Sequence, residues 1–328
     1  MLPNWLYGKS KSKLADILGG GGGTPADYNQ VKAQVNQNTE DILLLSDGLD
    51  DKAALTQITN PNLLDNPWFT INQRLVATLT SGGKLADRWS ITGNGTWEAS
   101  ISSDGVITID NSENANTIYF IQKMPSDFFA KLGSKPLTAS LMFSDGTIVH
   151  GSKQDATGTI YYNDDVIAIT RNYQSEVMNI NIKPGATVSI RAVKLEVGSV
   201  STLAMDVAPN YETELSKCER YFMRLYGSAF YAFAIALAVN TANADFIINL
   251  PTGMISQPTV STSGSIILTD GSNTVNLSGI SIVNYIKGIA SILNMRSTVE
   301  SGATLTAGKV YKIAFNSTDA YIDFSADL

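Results

Sequence analysis

The stretch MNINIKPGATVSIRA, residues 178–192, decides the fold class of this chain. Apolar residues occupy every second position on both sides of the turn pair Pro184-Gly185. Since successive side chains of a strand point to opposite faces, a period of two indicates strands that bury one face. Two such runs joined by a turn are typical of antiparallel β structure. We therefore expect a mainly β chain.

The same pattern extends over residues 59–205. Short apolar runs are separated by turn pairs such as Asn94-Gly95 and Asp104-Gly105. Two hairpins are predicted, in which Leu137–Phe143 pairs with Thr147–His150 and Thr159–Tyr162 pairs with Val166–Thr170. Short strands at this spacing predict an antiparallel β-sandwich.

A helical segment interrupts the strands at NYETELSKCERYFMRL, residues 210–225. One helical face would carry the apolar residues Leu215, Cys218, Phe222 and Leu225. This spacing predicts a connecting helix within residues 206–225. Cys218 on that face is interpreted as a small buried hydrophobic residue rather than a nucleophile. Residues 226–328 return to strand patterns and are predicted to form a second antiparallel β-sandwich, a C-terminal tip domain.

The strand predicted from Phe230 to Val239 alternates large apolar residues with alanines. We expect the large residues to face a core, because they offer more apolar surface to bury. The alanine face would let another backbone approach closely. That backbone would belong either to another copy near an oligomer axis or to the same subunit, and the sequence leaves both possibilities open.

The segment VKAQVNQNTEDILLL, residues 31–45, has a different period. Its apolar residues recur at alternating steps of three and four, which predicts a coiled-coil helix over residues 24–58. The seam consists of Tyr28, Val31, Val35, Asn38, Ile42, Leu45 and Leu49. A narrow stripe of this length has to pair with copies of itself or with its own domain. We favour pairing between copies, with Asn38 fixing the register.

Residues 1–23 combine an apolar cluster with a flexible run. The apolar residues are Trp5, Leu6, Tyr7, Leu14, Ile17 and Leu18. Five consecutive glycines follow at residues 19–23, where the backbone has maximal freedom. This order predicts a peptide that docks on a partner through residues 1–18 and is followed by a hinge. A disordered tail is the alternative.

Composition excludes several classes of function. The net charge of −7 argues against a nucleic-acid binder, whose affinity depends on clustered lysine and arginine. One cysteine and one histidine in 328 residues leave no disulfide and no thiolate metal cluster, so we expect no cofactor and no metal. The sequence contains no apolar run long enough to insert in a membrane and no secretory signal pattern, so synthesis in a cytoplasm is expected.

Catalytic groups are poorly supported. His150 is the only histidine, and no nucleophile motif surrounds it. The acid pairs Asp164-Asp165 and Glu212/Glu214 fall in a predicted turn and in a first helical turn, where acids have structural roles. We therefore expect that the chain is not an enzyme.

Aromatic side chains are the better candidates for a binding site, because an exposed ring can stack on a sugar. The candidate glycan-binding residues are Trp97, Tyr161, Tyr162 and Tyr226. Trp89, which follows Asp87-Arg88, is expected in a core instead.

Four stretches together carry a resemblance to a known family. They are NLLDNPWFTINQR at residues 62–74, ADRW at 86–89, VKLEVGSVST at 193–202 with NYETELSKCERYF behind it, and LTAGKVYKIAFNSTDAYIDFSADL at 305–328. In this order they resemble the tail-fibre and receptor-binding proteins of tailed bacteriophages, prophages and phage-derived tail particles. The resemblance covers residues 59–328. Residues 201–205 depart from the family, which often has an aromatic and proline-containing run there.

The resemblance implies a fold, an assembly and a function. Residues 59–205 would be a carbohydrate-binding-like, jelly-roll-like β-sandwich, and the chain would form a homotrimeric fibre on a virion or phage-like particle. Residues 1–18 would dock on a particle protein, and the distal domains would bind host cell-surface carbohydrate outside the cell. The first alternative is a structural appendage of head, collar or tail without receptor binding, and the second is a fibre-borne glycan hydrolase.

Overall fold

A computed structural model describes residue 36 and residues 60–153, 160–172, 175–288 and 291–327. Within these residues the chain is mainly β and its strands pair antiparallel, as predicted. None of the helices in these ranges is long and apolar enough to cross a membrane.

The predicted N-terminal features lie outside the described residues. They are the docking residues Trp5, Leu6, Tyr7, Leu14, Ile17 and Leu18, and the seam residues Tyr28, Val31, Val35, Asn38, Ile42, Leu45 and Leu49. Asn36, a polar residue beside the predicted seam, is helical and exposed. The docking peptide and the coiled coil stay predictions.

Residues 78–197 contain two six-stranded sheets. Their strands are β1 Thr78–Leu79, β2 Gly83–Ala86, β3 Trp89–Thr92, β4 Glu98–Ile101, β5 Ile107–Asp110, β6 Ile118–Lys123, β7 Leu137–Phe143, β8 Ile148–Lys153, β9 Ile160–Asn163, β10 Ile167–Asn172, β11 Val177–Ile182 and β12 Thr187–Val197. One sheet has the order β1-β4-β5-β12-β7-β8, and the other has the order β2-β3-β6-β11-β10-β9. Both contribute to one hydrophobic core, and we call this part the two-sheet body.

The stretch at residues 178–192 connects the two sheets. β11 lies in one sheet and β12 in the other, and the turn at Pro184-Gly185 carries the chain between them. Gly185 has φ 76°, a left-handed conformation that glycine adopts without steric cost. The alternating residues on both sides point inward, so Ile180 and Ile190 are almost fully buried.

Both predicted hairpins of the two-sheet body are confirmed. β7 pairs with β8, with Leu141 opposite Val149. β9 pairs with β10, and a bulge interrupts the ladder at Ile169. One short helix, α1 Phe128–Leu132, follows β6 and buries Phe129.

The C-terminal part contains a closed barrel and a small sheet. It begins with a 3₁₀ turn at Leu203–Met205 and helix α2 at Tyr211–Glu219. The strands are β13 Phe222–Tyr226, β14 Ala232–Ala238, β15 Asn243–Leu250, β16 Thr259–Ser263, β17 Ile266–Thr269, β18 Thr274–Ile286, β19 Ser291–Val299, β20 Val310–Phe315 and β21 Tyr321–Ser325. β14-β15-β19-β18-β17-β20 form the closed barrel, and β13-β21-β16 form the three-stranded sheet.

The prediction of a second β-sandwich over residues 226–328 is therefore wrong. β20 pairs with both β14 and β17, and this closes the ring of six strands. Closure removes the exposed strand edges that an open sheet has to protect. The three-stranded sheet adds Ile322 and Phe324 to the barrel's core, and we call the two together the barrel body.

The predicted connecting helix ends earlier than the sequence indicated. α2 ends at Glu219, and Phe222 and Leu225 lie on strand β13. β13 pairs with β21, with Phe222 opposite Ser325. Pairing with a strand about 100 residues away along the chain overrides the local helical pattern.

The second half of β14 has the reverse of the expected orientation, whereas Phe233 in the first half packs against the core as predicted. Ala236 and Ala238 face the core and are almost fully buried, whereas Ile235 and Leu237 are 68% and 49% exposed. Ala236 lies between Tyr311 on β20 and Phe246 on β15. These two large rings fill the barrel at that level, so only a small side chain fits between them.

Candidate functional site

Stretches that carry the resemblance meet at the junction between the two-sheet body and the barrel body. Asn66 is fully buried, and its side-chain amide donates to the carbonyl oxygens of Ile71 at 2.8 Å and Asp87 at 2.9 Å. Its backbone N–H donates to the Glu214 carboxylate at 2.8 Å. Asn66 therefore connects the 62–74 stretch, the ADRW stretch and helix α2.

Arg74 connects the same site to the C-terminal stretch. Its guanidinium lies 3.0 Å from Asp87 Oδ1 and 2.5 Å from Asp327 Oδ2. The guanidinium carbon also lies 3.4 Å from the centroid of the Phe222 ring, which is cation–π geometry. We call Asn66, Arg74, Asp87, Glu214 and Asp327 the junction network.

Burial shifts the proton affinity of this network. Asp87 is almost fully buried, and desolvation raises its pKa from 3.8 to about 6. The Arg74 cation and a hydrogen bond from Gln73 Nε2 at 2.7 Å oppose that rise. Desolvation is the larger effect, because burial removes the water that would otherwise stabilise the carboxylate.

Two neighbours of Asp87 also have structural positions. Arg88 Nε lies 3.1 Å from Asp65 Oδ2, and the Arg88 guanidinium stacks 3.5 Å from the centroid of Tyr221. Trp89 is buried as predicted, and its indole N–H donates to the Asn66 carbonyl oxygen at 3.0 Å. Arg88 therefore links the two bodies through Tyr221, whereas Trp89 packs in the core of the two-sheet body.

The 193–202 stretch holds a second buried ionic cluster. Lys194 and Glu196 are fully buried, and Lys194 Nζ contacts Asp206 Oδ1 at 2.6 Å. Glu196 accepts hydrogen bonds from the Thr202 hydroxyl at 2.6 Å and its N–H at 2.8 Å. This cluster fixes the link that follows β12.

Cys218 is fully buried on helix α2, as predicted. Burial raises the pKa of its thiol, with nearby carboxylates adding to the shift. A buried thiol with a raised pKa is unreactive, because the nucleophilic form is the thiolate.

Two of the four candidate glycan-binding residues lie in the core. Trp97 is 4% exposed and Tyr161 is 6% exposed, so neither ring offers an open face. Tyr162 is half-buried on edge strand β9, and its hydroxyl donates to Asp164 at 2.7 Å. That hydrogen bond to the carboxylate is the main reason why the pKa of Tyr162 is raised.

Trp97 nevertheless forms part of the wall of an open cleft of about 380 Å³. The other residues that line this Trp97 cleft are Thr80, Gly95, Thr96, Glu98, Asp110, Ser112 and Glu113. Glu98 and Asp110 lie directly opposite each other on β4 and β5. Hydrogen bonds from Ser112 and Thr187 lower the pKa of Asp110, so this group is a carboxylate at neutral pH.

Tyr226 has the exposure that a sugar-stacking ring requires. It is 63% exposed and lies at the end of β13, beside a cleft of about 230 Å³ at the junction of the two bodies. The residues that line this Tyr226 cleft are Asn72, Gln73, Leu75, Tyr211, Leu215, Glu219, Met223, Arg224 and Tyr226. Tyr211, which the sequence reasoning missed, is 53% exposed and adds a second ring.

Hydrogen bonds hold the Arg224 side chain, which lines the Tyr226 cleft. Arg224 forms two hydrogen bonds with the Asp323 carboxylate, at 2.7 and 2.8 Å, and a third with the Arg74 carbonyl oxygen at 2.9 Å. Its guanidinium also lies 3.7 Å from the Tyr321 ring centroid. The cleft therefore combines two exposed aromatic rings with a guanidinium held by hydrogen bonds.

The other groups weighed for chemistry have structural surroundings. His150 is exposed on β8 opposite Ser140. Asp164 accepts hydrogen bonds from the backbone N–H groups of Val166 at 2.8 Å and Ile167 at 2.7 Å, which are turn contacts. The described residues contain no group of three or more His, Cys, Asp or Glu side chains that could hold a metal ion.

A scan of the sequence against protein-family models finds no match. A search of curated proteins also finds no match.

Proposed function

We propose that the chain is a trimeric tail-fibre or receptor-binding protein of a bacteriophage or phage-like particle. It is a structural adhesin that binds host cell-surface glycan. Residues 24–58 form a parallel trimeric coiled coil, residues 59–205 form a carbohydrate-binding-like jelly roll, and residues 1–18 dock on the particle.

The observation that carries the proposal is the convergence of the resembling stretches at the junction network. If each of the four motifs contributes residues to one interface, that interface is a physical reason for the motifs to occur together. Asn66 forms hydrogen bonds with both Glu214 and Asp87. Arg74 forms ion pairs with both Asp87 and Asp327, so the network joins four separate parts of the chain. This supports inheritance of the whole 59–328 architecture rather than chance similarity of short motifs.

Trimer formation would give the adhesin its affinity. One shallow cleft of about 230 Å³ holds few sugar atoms, so a single contact is weak. Linking three such clefts through a coiled coil raises avidity by about 10²–10⁴ through effective concentration. We assign the glycan contact to Tyr226 and Tyr211, because these rings are open to solvent.

Binding of the full chain to a glycan array tests the proposal. We expect binding to a restricted set of glycans, and Tyr226→Ala should weaken it by about tenfold or more, since the loss is repeated in each copy. Tyr119→Ala is the matched control, because Tyr119 is also exposed but lies on β6, outside the cleft. Equal losses in both variants would contradict the assignment of the cleft.

A fibre-borne glycan hydrolase is the second candidate, favoured by the acids of the Trp97 cleft. Hydrolases need two carboxyl groups flanking the scissile bond, one of them a proton donor with a raised pKa. Asp110, whose pKa is lowered, suits a nucleophile or a base but not that donor. A reducing-end assay on bound glycans distinguishes the two functions, because only a hydrolase releases oligosaccharides.

The third candidate is a structural appendage of head, collar or tail. Its test is the same array, since an appendage without receptor binding would give no glycan signal from a stable trimer. The proposed localisation is the virion or phage-like particle, with synthesis in the host cytoplasm and action outside the cell.

A further inference from the structure

The link that follows β12 folds back over the outer face of the sheet that contains β12. Val193 and Leu195 pack in the core of the two-sheet body, so the side chain of Lys194 between them points to the opposite face. Ser140 on β7 and Ser201 in the link hold this cover in place, because their hydroxyl oxygens lie 2.7 Å apart. Lys194 is fully buried beneath it.

An amine and two carboxyl groups lie together under this cover. Lys194 Nζ is 2.6 Å from Asp206 Oδ1 and 3.8 Å from Glu196 Oε2. Glu196 is fully buried, and the side chain of Asp206 is 15% exposed. Opposite charges taken out of water are costly even when they are paired, and two carboxyl groups share one amine here. An amide bond between Lys194 and Asp206 would replace a buried ion pair by a neutral group.

A hydroxyl group connects the amine to the second carboxyl group. Lys194 Nζ donates to Thr202 Oγ1 at 2.8 Å, and the Thr202 hydroxyl donates to Glu196 Oε2 at 2.6 Å. The Thr202 backbone N–H holds the other Glu196 oxygen at 2.8 Å. This chain of hydrogen bonds is a route by which a proton can pass from the amine to Glu196. The cluster therefore contains a nucleophile, a carboxyl carbon beside it and a proton acceptor.

We propose that Lys194 and Asp206 condense within the folded chain to form an isopeptide bond, with Glu196 as the proton carrier. A proton passes from Nζ through the Thr202 hydroxyl to Glu196, and the nitrogen lone pair then attacks Asp206 Cγ. A C–N bond forms and one C–O bond of the carboxyl group breaks. The departing oxygen takes the proton from Glu196 and a second proton from Nζ, and it leaves as water. Glu196 returns to a carboxylate, and no oxidant or other reactant is required.

Position and burial favour this reaction. Groups held in contact react as if at an effective concentration of about 10⁵–10⁸ M. The partly exposed side chain of Asp206 gives the released water a way out, whereas the Lys194 side chain is only 1% exposed. The bond would close a loop over residues 194–206 and so fasten the link covalently, as a disulfide does. The inference depends neither on glycan binding nor on the proposed trimer.

Mass spectrometry of the purified full chain tests the inference after denaturation, which abolishes ionic contacts. We expect an intact mass one water below that of the sequence. Trypsin cleaves after unmodified lysine and arginine, so a free Lys194 gives two peptides, 192–194 and 195–217. The isopeptide bond blocks that cleavage and gives one peptide, 192–217, that is one water lighter than the same uncut sequence. Fragment spectra of this peptide locate the missing water.

Lys217 and Glu214 provide a matched control in the same digest. Lys217 Nζ lies 2.5 Å from Glu214 Oε1, but the Lys217 side chain is 41% exposed. Water solvates this amine, so we expect complete cleavage after Lys217 and no bond to Glu214. A water lost at both pairs would show that close contact alone is sufficient, and it would overturn the argument from burial.

Glu196→Gln tests the proton carrier, because glutamine has the shape of glutamate but takes up no proton at this pH range. The rate at which the crosslinked mass appears after cell-free synthesis should fall by about 10²–10⁴-fold. An unchanged rate would overturn the role of Glu196, and Thr202→Val repeats the test if Glu196→Gln does not fold. A wild-type chain that has the full sequence mass and is cleaved after Lys194 would overturn the isopeptide bond itself.

Discussion

The buried carboxylate of Asp87 should make the stability of the protein depend on pH in an unusual direction. Its pKa is raised from 3.8 to about 6 in the folded state, so the folded protein binds this proton more tightly than the unfolded chain. The stabilising contribution is fully present below about pH 4 and is lost as pH rises through about 6. A shift of about 2 units corresponds to about 3 kcal/mol of unfolding free energy.

Asp87→Asn isolates this contribution, because an amide resembles the protonated carboxyl group and does not titrate. We would measure urea unfolding of the full chain and of Asp87→Asn at pH 4, 5, 6 and 7. The free-energy advantage of the wild type over the variant should fall by about 2.4 kcal/mol between pH 4 and pH 7, since the unfolded-state carboxyl group already titrates near pH 4. Both proteins share all other titrating groups, so those contributions cancel in the difference.

Asp145→Asn is the control with the opposite sign. Asp145 is exposed, and a hydrogen bond from the Thr147 backbone N–H at 2.8 Å lowers its pKa. Its contribution is present above about pH 4 and is lost as pH falls. The unfolding free energy of the wild type minus that of Asp87→Asn should fall with pH. A difference that stayed constant, or that rose with pH as expected for the control, would refute the raised pKa of Asp87.

Three further perturbations test other parts of the structure. Arg74→Ala removes the cation beside the same buried carboxylate and should lower the unfolding free energy at pH 7 by about 3–5 kcal/mol; a loss below about 1 kcal/mol in urea titration would contradict the ion pair. Ile42→Asp should dissociate the proposed trimer, because it buries three charges in one seam layer; unchanged light-scattering mass would count against the seam. Gly151→Ala should lower the unfolding free energy by about 1–3 kcal/mol, because an added Cβ overlaps the Tyr161 carbonyl oxygen. Gly279→Ala is the control, because its added Cβ meets no atom and should change the melting temperature little.

Local patterns in the sequence were sufficient to predict the strand-rich class, both hairpins and several core residues. Period-two alternation and turn pairs are local signals, so the hairpins β7–β8 and β9–β10 required no knowledge of distant contacts. Trp89 and Cys218 were placed in the core by residue type, and both are buried.

Distant contacts account for the errors. The sequence 210–225 has a helical period, yet β13 forms because β21 pairs with it from the other end of the barrel body. The alternation along β14 correctly predicts a strand but not which of its two faces is buried. The buried face depends on Tyr311 and Phe246, which lie on the neighbouring strands. No local signal distinguishes those outcomes.

The candidate site was only partly predictable for the same reason. Tyr226 was chosen correctly as an exposed ring, but exposure at a junction depends on how two bodies meet, so Tyr211 was missed. Charged residues such as Asp87 are mostly found at surfaces, and nothing near it in the sequence indicated a buried network. Its partner Arg74 lies 13 residues away along the chain, and Asp327, the second partner of Arg74, lies 240 residues from Asp87.

The position of β21 has a consequence for biosynthesis. This strand is the middle one of its sheet, between β13 and β16, and Asp327 just beyond it completes the contacts of Arg74. Before residue 321 is synthesised, the chain contains the outer strands β13 and β16 but not the central strand β21 that pairs with both. Completion of the junction therefore waits for residues 321–327, and a chain terminated before them would leave β13 and β16 unpaired.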